Sequence, residues 1–175
     1  RQMCIRDSFN IVSRIGNGIG LAVWDMAALR FAVGSLILMP FFMRNRLKGL
    51  SLGQALLIAF LGGLGFALFA YAGFFMAPAA HGAVLLHGTL PLFTFIVSLA
   101  IGEAVRSRAI PGVILIALGI GLMAIDTTLG ASAVQLLGDA FLLIASLCWS
   151  TCGIVIKRAG VSSVQASAIV VVLSA

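Results

Sequence analysis

Charged side chains are scarce in this chain. Asp, Glu, Lys and Arg together make up 9% of the 175 residues, and Asp and Glu contribute five residues in all. A soluble domain uses about a quarter charged residues to cover its surface. Hydrophobic residues instead make up 62% of the chain, and the mean hydropathy is +1.19. The composition therefore excludes an ordinary soluble domain and indicates that a lipid bilayer is the solvent.

The apolar runs also lack the alternation of a barrel strand. They reach about 18 residues or more, the length that spans a hydrocarbon core of about 30 Å. Strands of a membrane barrel alternate apolar and polar residues, whereas residues 55–76 do not. Helices and closed barrels are the structures that satisfy their backbone groups in lipid. The sequence therefore predicts an all-α polytopic membrane protein.

Five full transmembrane helices plus two partial ones are predicted. The full spans cover approximately 26–43, 52–76, 83–101, 111–125 and 139–156, and the partial ones cover 9–15 and the chain from about 163. Polar loops are expected at 17–25 and 126–138, and Pro78 and Gly82 mark a hairpin. Residues 1–8 do not resemble the rest and lack an initiator Met, so we expect an adapter-derived segment and a chain cut at both ends.

The basic residues cluster in alternate loops. One set of loops contains Arg44, Arg46, Lys48, Arg106, Arg108, Lys157 and Arg158. The other set contains Asp25, His81, Asp126 and Asp139, with Arg14. Because Lys and Arg accumulate on the cytoplasmic side, we expect a cytoplasmic N-terminus in the bacterial inner (cell) membrane. The net charge of +6 is then topological, and no nucleic-acid partner is expected.

A weak internal repeat is present. Residues 9–14 (FNIVSR) resemble 152–157 (CGIVIK), and 25–29 resemble 165–169. The offset is about 140 residues, and five predicted spans separate the copies. An odd number of spans places the copies in opposite senses across the membrane. This arrangement is typical of secondary transporters with inverted repeats, which bind substrate near the membrane midplane.

Five stretches resemble the EamA family of the drug/metabolite transporter (DMT) superfamily. They are AALRF at 27–31, FAYAGF at 69–74, LPLFT at 90–94, GVILIALG at 112–119 and GDAFLL at 138–143. The resemblance implies a ten-helix transporter of two inverted five-helix repeats that exports small metabolites such as amino acids. It also implies that 9–130 is the first repeat, with a truncated first helix, and that 137–175 is the truncated start of the second.

Four residues are candidates for substrate binding: Arg30, Tyr71, His87 and Trp149. Arg30 either faces a cavity, where it would attract a carboxylate or phosphate, or extends to the headgroups. Pro91 lacks the N–H that would bond the His87 carbonyl, which leaves a polar notch that either lines a cavity or is packed. Tyr71 and Trp149 either line the cavity or serve as packing and interfacial residues.

Other features favour structural roles. Glu103 is interpreted as an interfacial ion pair near Arg106 and Arg108, with a proton-coupling carboxylate as the alternative. Small residues at Ala59-Gly63-Ala67 and Ala117-Gly121 predict close helix packing. Cys148 and Cys152 predict small buried thiols. His81 and His87 do not share a helix face, so we expect no metal site and no cofactor.

Two competing functions remain open from the sequence. An intramembrane enzyme would need paired catalytic groups, and the chain contains no G-x-S-x-G or H-E-x-x-H motif. A small oligomeric membrane scaffold or multidrug-type protein is the other alternative. No P-loop sequence is present for ATP-driven transport. We therefore expect a transporter rather than an enzyme, with the bilayer and a small-molecule substrate as partners and the oligomeric state open.

Overall fold

The computed structural model describes residues 23–45, 50–103, 107–130 and 132–174. Every regular element in these ranges is helical. The main helices are α1 (Val23–Asn45), α2 (Leu52–Met76), α3 (Gly82–Ala100), α4 (Ile110–Gly130), α5 (Ala133–Arg158) and α6 (Ser163–Leu173). Short helical turns at Ala79–His81 and Ser107–Ala109 precede α3 and α4. The predicted all-α class is confirmed.

Four helices are long and apolar enough to cross a membrane. They are α2, α3, α5 and the stretch Ser107–Ile125, which includes most of α4. The apolar parts of α1 and α6 are shorter, Ala28–Met43 and Ser163–Leu173. The chain is a multi-pass membrane protein by this criterion. The predicted count of five full and two partial helices stays a prediction, and the segments 1–8 and 9–15 lie outside the described residues.

The predicted polar loop at 126–138 is wrong for most of its length. Helix α4 continues to Gly130, and α5 already begins at Ala133. The Ser132 hydroxyl caps α5 by accepting the Gln135 N–H at 3.3 Å. Residues 133–138 (AVQLLG) are mostly apolar and form the first turns of α5. The polar residues at 126–128 remain helical in α4, because a helix can continue beyond the hydrocarbon layer. For the same reason the loop predicted at 17–25 is helical from Val23 onward.

Glycines let α2 and α5 approach closely. Gly73 lies against Leu142, and Gly138 lies against Met76 and Ala77. A β-carbon at Gly138 would lie 2.7 Å from the Met76 Cβ and 2.9 Å from the Ala77 backbone nitrogen. Residue numbers rise along α2 as they fall along α5, so the two helices are antiparallel. Phe66, Ala70 and Phe74 of α2 and Leu142 and Ala145 of α5 belong to one buried apolar cluster.

The predicted small-residue ladder on α2 is buried. Ala59 and Ala67 are buried, and Gly63 lies against Ser174 at the end of α6. The ladder therefore packs as expected for small residues in membrane helices. The second ladder differs, because Ala117 and Gly121 are exposed on α4 and a β-carbon at Gly121 would meet no atom within 4 Å. That predicted packing is not found among the described residues.

Helix α2 contains a π-helical turn at Phe60–Leu64. The longer hydrogen-bond spacing of a π turn disturbs the α-helical pairing of nearby carbonyls, and lipid offers these groups no water. Side chains of neighbouring helices supply the donors instead. The Ser174 hydroxyl donates to the Ala59 carbonyl at 3.1 Å. The Cys152 thiol donates to the Ile58 carbonyl at 3.7 Å. Cys152 is buried as predicted, whereas Cys148 is half-buried.

Candidate substrate cavity between α3 and α5

Polar contacts join α3 to α5 along their length. Near the hairpin, His81 Nδ1 lies 2.9 Å and 3.0 Å from the two carboxylate oxygens of Asp139. Further along, the hydroxyl oxygens of Thr89 and Ser146 lie 2.7 Å apart and share a hydrogen bond. Residue numbers rise together along the two helices, so α3 and α5 are parallel. Two membrane helices separated by one crossing helix, here α4, run in the same direction.

The His81–Asp139 pair fixes the hairpin after α2 to the second turn of α5. Its side chains are 15% and 13% exposed, and the residues are 58 positions apart in the chain. The charge pattern placed both residues on the same side of the membrane, and their contact agrees with this. The pairing itself was not predicted, because no local spacing connects two residues so far apart.

The backbone of α3 is irregular where it faces α5. Its first part, Gly82–Gly88, is π-helical, and hydroxyl groups bond to the carbonyls near it. The Thr89 hydroxyl donates to the Leu85 carbonyl, and the Ser150 hydroxyl donates to the Leu90 carbonyl at 3.2 Å. Irregular backbone at membrane depth is tolerated where it is buried in protein or lines a cavity. Here Gly82, Leu85 and Leu86 of the π-helical part are buried.

An ion cluster joins the far ends of α3 and α5. Glu103 accepts hydrogen bonds from Lys157 Nζ and Arg158 Nε, each at 3.1 Å. Arg158 Nη2 also donates to the Ile101 carbonyl at 3.1 Å. The hydrogen bond from Lys157, followed by that from Arg158, lowers the pKa of Glu103 below its usual value. The carboxylate therefore stays ionised at neutral pH.

The interfacial ion pair predicted for Glu103 is present, with different partners. The sequence suggested the neighbouring Arg106 and Arg108, whereas the structure pairs Glu103 with two residues of α5. Arg106 itself lies outside the described residues. The correction has a simple physical reason: a carboxylate bonds to the cations nearest in space, and the parallel packing of α3 and α5 brings their ends together.

A cavity of about 290 Å³ lies between α3 and α5. Its lining residues are Leu90, Thr94, Ser98, Trp149, Ser150, Gly153, Ile154 and Lys157. The three residues of α3 are spaced four apart and share one helix face. The α5 residues Ser150, Gly153, Ile154 and Lys157 also share one helix face, because the last three lie three, four and seven positions after Ser150. The cavity therefore extends from an aromatic wall at Trp149 to the cation of Lys157.

Two of the four predicted binding residues are connected through Phe66. Trp149 lines the cavity, and its ring centroid lies 4.8 Å from that of Phe66. The guanidinium carbon of Arg30 lies 5.9 Å from the same Phe66 ring, within the range of a cation–π contact. Arg30 is half-buried and its Nη1 atom is buried. Its side chain thus contacts a neighbouring helix.

Tyr71 and His87 lie elsewhere. Tyr71 is 5% exposed on α2, and His87 is half-buried in the π-helical part of α3. Neither residue is among those that line the cavity. The structure therefore brings Trp149 to the cavity and Arg30 near it, and it places Tyr71 and His87 in the surrounding packing.

Sequence reasoning missed several residues of this region. Thr94 and Ser98 lie on α3, and Ser146 and Ser150 lie on α5, in each case four residues apart in an apolar stretch. Hydroxyl residues with this spacing share one helix face, so the pattern was available as a signal. Lys157 was assigned to topology alone. Phe66 carried no signal, because its role depends on contacts made by two other helices.

Comparison with known proteins adds the family. The model of the EamA-like transporter family matches residues 9–125, more than half of the chain. The chain belongs to the EamA-like transporter family. This family is part of the DMT superfamily, and its members are transporters rather than enzymes. Neither the curated proteins nor the solved structures gave a match. The matched range includes α3, whereas α5 lies beyond it.

Proposed function

We propose that this chain forms part of a secondary active transporter that exports small metabolites, such as amino acids, by alternating access. The observation that carries the proposal is the cavity between α3 and α5, two helices joined at both ends by polar contacts. Cavities at membrane depth between helices are where secondary transporters bind their substrates. The family membership supports a transport function, and the cavity supports the proposed position of the substrate site.

The proposed architecture is ten helices in two inverted repeats, with residues 9–130 in the first repeat and 137–175 in the second. Helices α1 and α6 then occupy corresponding positions in the two repeats. They pack against each other, and Gly34 of α1 lies against Val171 of α6. Contact between corresponding helices is what a two-fold axis in the membrane plane produces. The basic clusters further support a cytoplasmic N-terminus in the bacterial inner membrane.

Trp149 is the proposed wall residue of the substrate site. Its side chain is 42% exposed although it lies in the middle of α5, so a bound molecule can contact the ring. Arg30 is proposed to act through Phe66, which it shares with Trp149. Tyr71 and His87 are proposed as residues of the outer wall, reached when the helices rearrange during transport.

Transport by the full-length protein that contains this chain tests the proposal. Inside-out membrane vesicles expose the cytoplasmic face, so export appears as uptake of labelled amino acids and other small metabolites. We expect Trp149→Ala to reduce uptake about tenfold, the loss of roughly 1.4 kcal/mol of aromatic contact. The matched control is Leu147→Ala, which alters the same helix at an exposed residue outside the cavity lining.

The result is read at equal membrane abundance of both variants. Undiminished uptake with Trp149→Ala, together with normal uptake by the control, would remove the cavity from the mechanism. Absence of uptake for every metabolite in the panel would contradict the export function itself.

A further inference from the structure

We propose that the cavity between α3 and α5 selects small organic anions, with the carboxylate or phosphate held at Lys157 and the apolar part held against Trp149. This inference rests on the proposed transport function and specifies its substrate class. It is carried by the charge balance at one end of the cavity and by the order of side chains along its walls.

The ion cluster has an excess positive charge. Glu103 carries one negative charge, and its two oxygens are each bonded to one cation, Lys157 or Arg158. The three ionised groups therefore sum to one net positive charge. An ammonium group has three N–H donors, and Lys157 gives one of them to Glu103. Two donors remain for an anion placed inside the cavity.

The lining itself contains no carboxylate. Among the described residues that line the cavity, Lys157 carries the one formal charge, and the others are apolar or bear hydroxyl groups. An anion in the cavity is therefore attracted by Lys157, and the repulsion from Glu103, which is bonded to the same ammonium group, is offset by Arg158. A cation would be repelled by Lys157, and the Glu103 carboxylate would not offset this repulsion because it is already bonded to two positive side chains.

The walls change character along the cavity. Trp149 of α5 and Leu90 of α3 provide apolar surface, whereas Thr94 and Ser98, further along α3, bear hydroxyl groups. Ser150 donates its proton to the Leu90 carbonyl, so its oxygen remains an acceptor. A ligand with an apolar part and an anionic group at the other end fits this order. The volume of about 290 Å³ is at the lower limit of ligand pockets, which indicates a small solute.

Two substitutions are expected to act in opposite directions. Lys157→Gln removes the cation that lines the cavity, and the net charge of the cluster falls to zero. Glu103→Gln removes the competing carboxylate, and the net charge of the cluster rises. Arg108→Gln is the matched control, because Arg108 lies in the turn before α4 and does not line the cavity.

The experiment measures binding of three labelled probes to the full-length protein in lipid nanodiscs, with empty nanodiscs subtracted. The probes are 3-phenylpropionate, 3-phenylpropan-1-ol and 3-phenylpropylammonium, which share one body and differ in charge. We expect the anion to bind about tenfold more tightly than the alcohol, the effect of one charge-assisted hydrogen bond. We expect Lys157→Gln to abolish this preference, Glu103→Gln to increase it and Arg108→Gln to leave it unchanged.

Equal binding of the three probes, no measurable binding of the anion, or a preference that survives Lys157→Gln would overturn the proposal. These outcomes are separable from failure of the transport function. A protein that exports neutral or cationic metabolites and shows no anion preference contradicts this inference alone. A protein that exports no metabolite of the panel contradicts the transport function, whatever its probe binding.

Discussion

Helix α5 has two interfaces of different character. Towards α2 it is apolar and close: Gly73 and Gly138 bring the backbones together, and the rings of Phe69 and Phe141 lie 5.9 Å apart. Towards α3 it is polar, with hydroxyl, imidazole and carboxylate groups and a cavity between the helices. The first interface is closely packed. The second is held by hydrogen bonds and an ion pair and lies beside the proposed substrate cavity.

The two interfaces should therefore differ in how much a single substitution costs. Forcing extra atoms into a close-packed contact costs about 1–3 kcal/mol. A hydrogen bond between membrane helices contributes about 0.6 kcal/mol on average. Each of the following predictions tests this ranking at one place, from the largest expected effect to the smallest.

Gly138→Ala should weaken the α2–α5 contact most. The new β-carbon would meet the backbone of Ala77, which cannot move aside as a flexible side chain can. We expect a loss of roughly 1–3 kcal/mol in stability, measured as the unfolding free energy of the full-length protein in detergent. Gly153→Ala on the same helix is the control, because its β-carbon meets no atom within 4 Å. Equal effects of the two substitutions would contradict the close packing.

The Thr89–Ser146 hydrogen bond should contribute less. Thr89→Val, Ser146→Ala and the double variant form a cycle whose coupling energy we expect near 0.6 kcal/mol. Unfolding free energy is again the measurement. Thr151→Val is the control, because the Thr151 hydroxyl donates to Leu147 within α5 and joins no second helix. A coupling energy larger than the unfolding free energy lost with Gly138→Ala would reverse the proposed ranking of the two interfaces.

The ion cluster at Glu103 should have the smallest effect, and that effect should depend on pH. Its pKa is lowered from 4.5 by hydrogen bonds from Lys157 and then Arg158. The cluster therefore stabilises the protein above the unfolded pKa, and this stabilisation is lost as the pH falls through the lower folded pKa. Thermal midpoints of the native protein and Glu103→Gln should differ slightly at neutral pH and converge as the pH falls through the lowered folded pKa of Glu103. High salt should also reduce the difference between the two midpoints. A difference that grows as the pH falls would contradict the prediction.

Hydropathy predicted the helices because lipid permits few alternatives. The span predicted at 52–76 agrees with α2, and that at 83–101 is within one residue of α3. The segments 126–130 and 133–138 were predicted as one polar loop, yet both are helical, and 133–138 (AVQLLG) is mostly apolar. A hydropathy pattern reports contact with lipid. It does not report where hydrogen bonds along the backbone end.

The candidate site was predicted less completely. Trp149 was identified as an amphipathic aromatic residue in an apolar helix, and it lines the cavity. The partners of Glu103 and of Asp139 were not identified, because each contact joins residues more than 50 positions apart. Such pairs depend on which helices become neighbours. One sequence specifies the faces of its helices more directly than their order in the bundle.

The parallel orientation of α3 and α5 has a consequence for synthesis. Each polar contact between them joins an earlier residue to one made 54 to 60 positions later. His81 and Thr89 are therefore translated before Asp139 and Ser146. Chains are synthesised at about 5–20 residues per second, so α3 waits several seconds with its polar face lacking these partners. Until α5 has been made, His81 and Thr89 therefore lack the side-chain partners that they have in the folded chain.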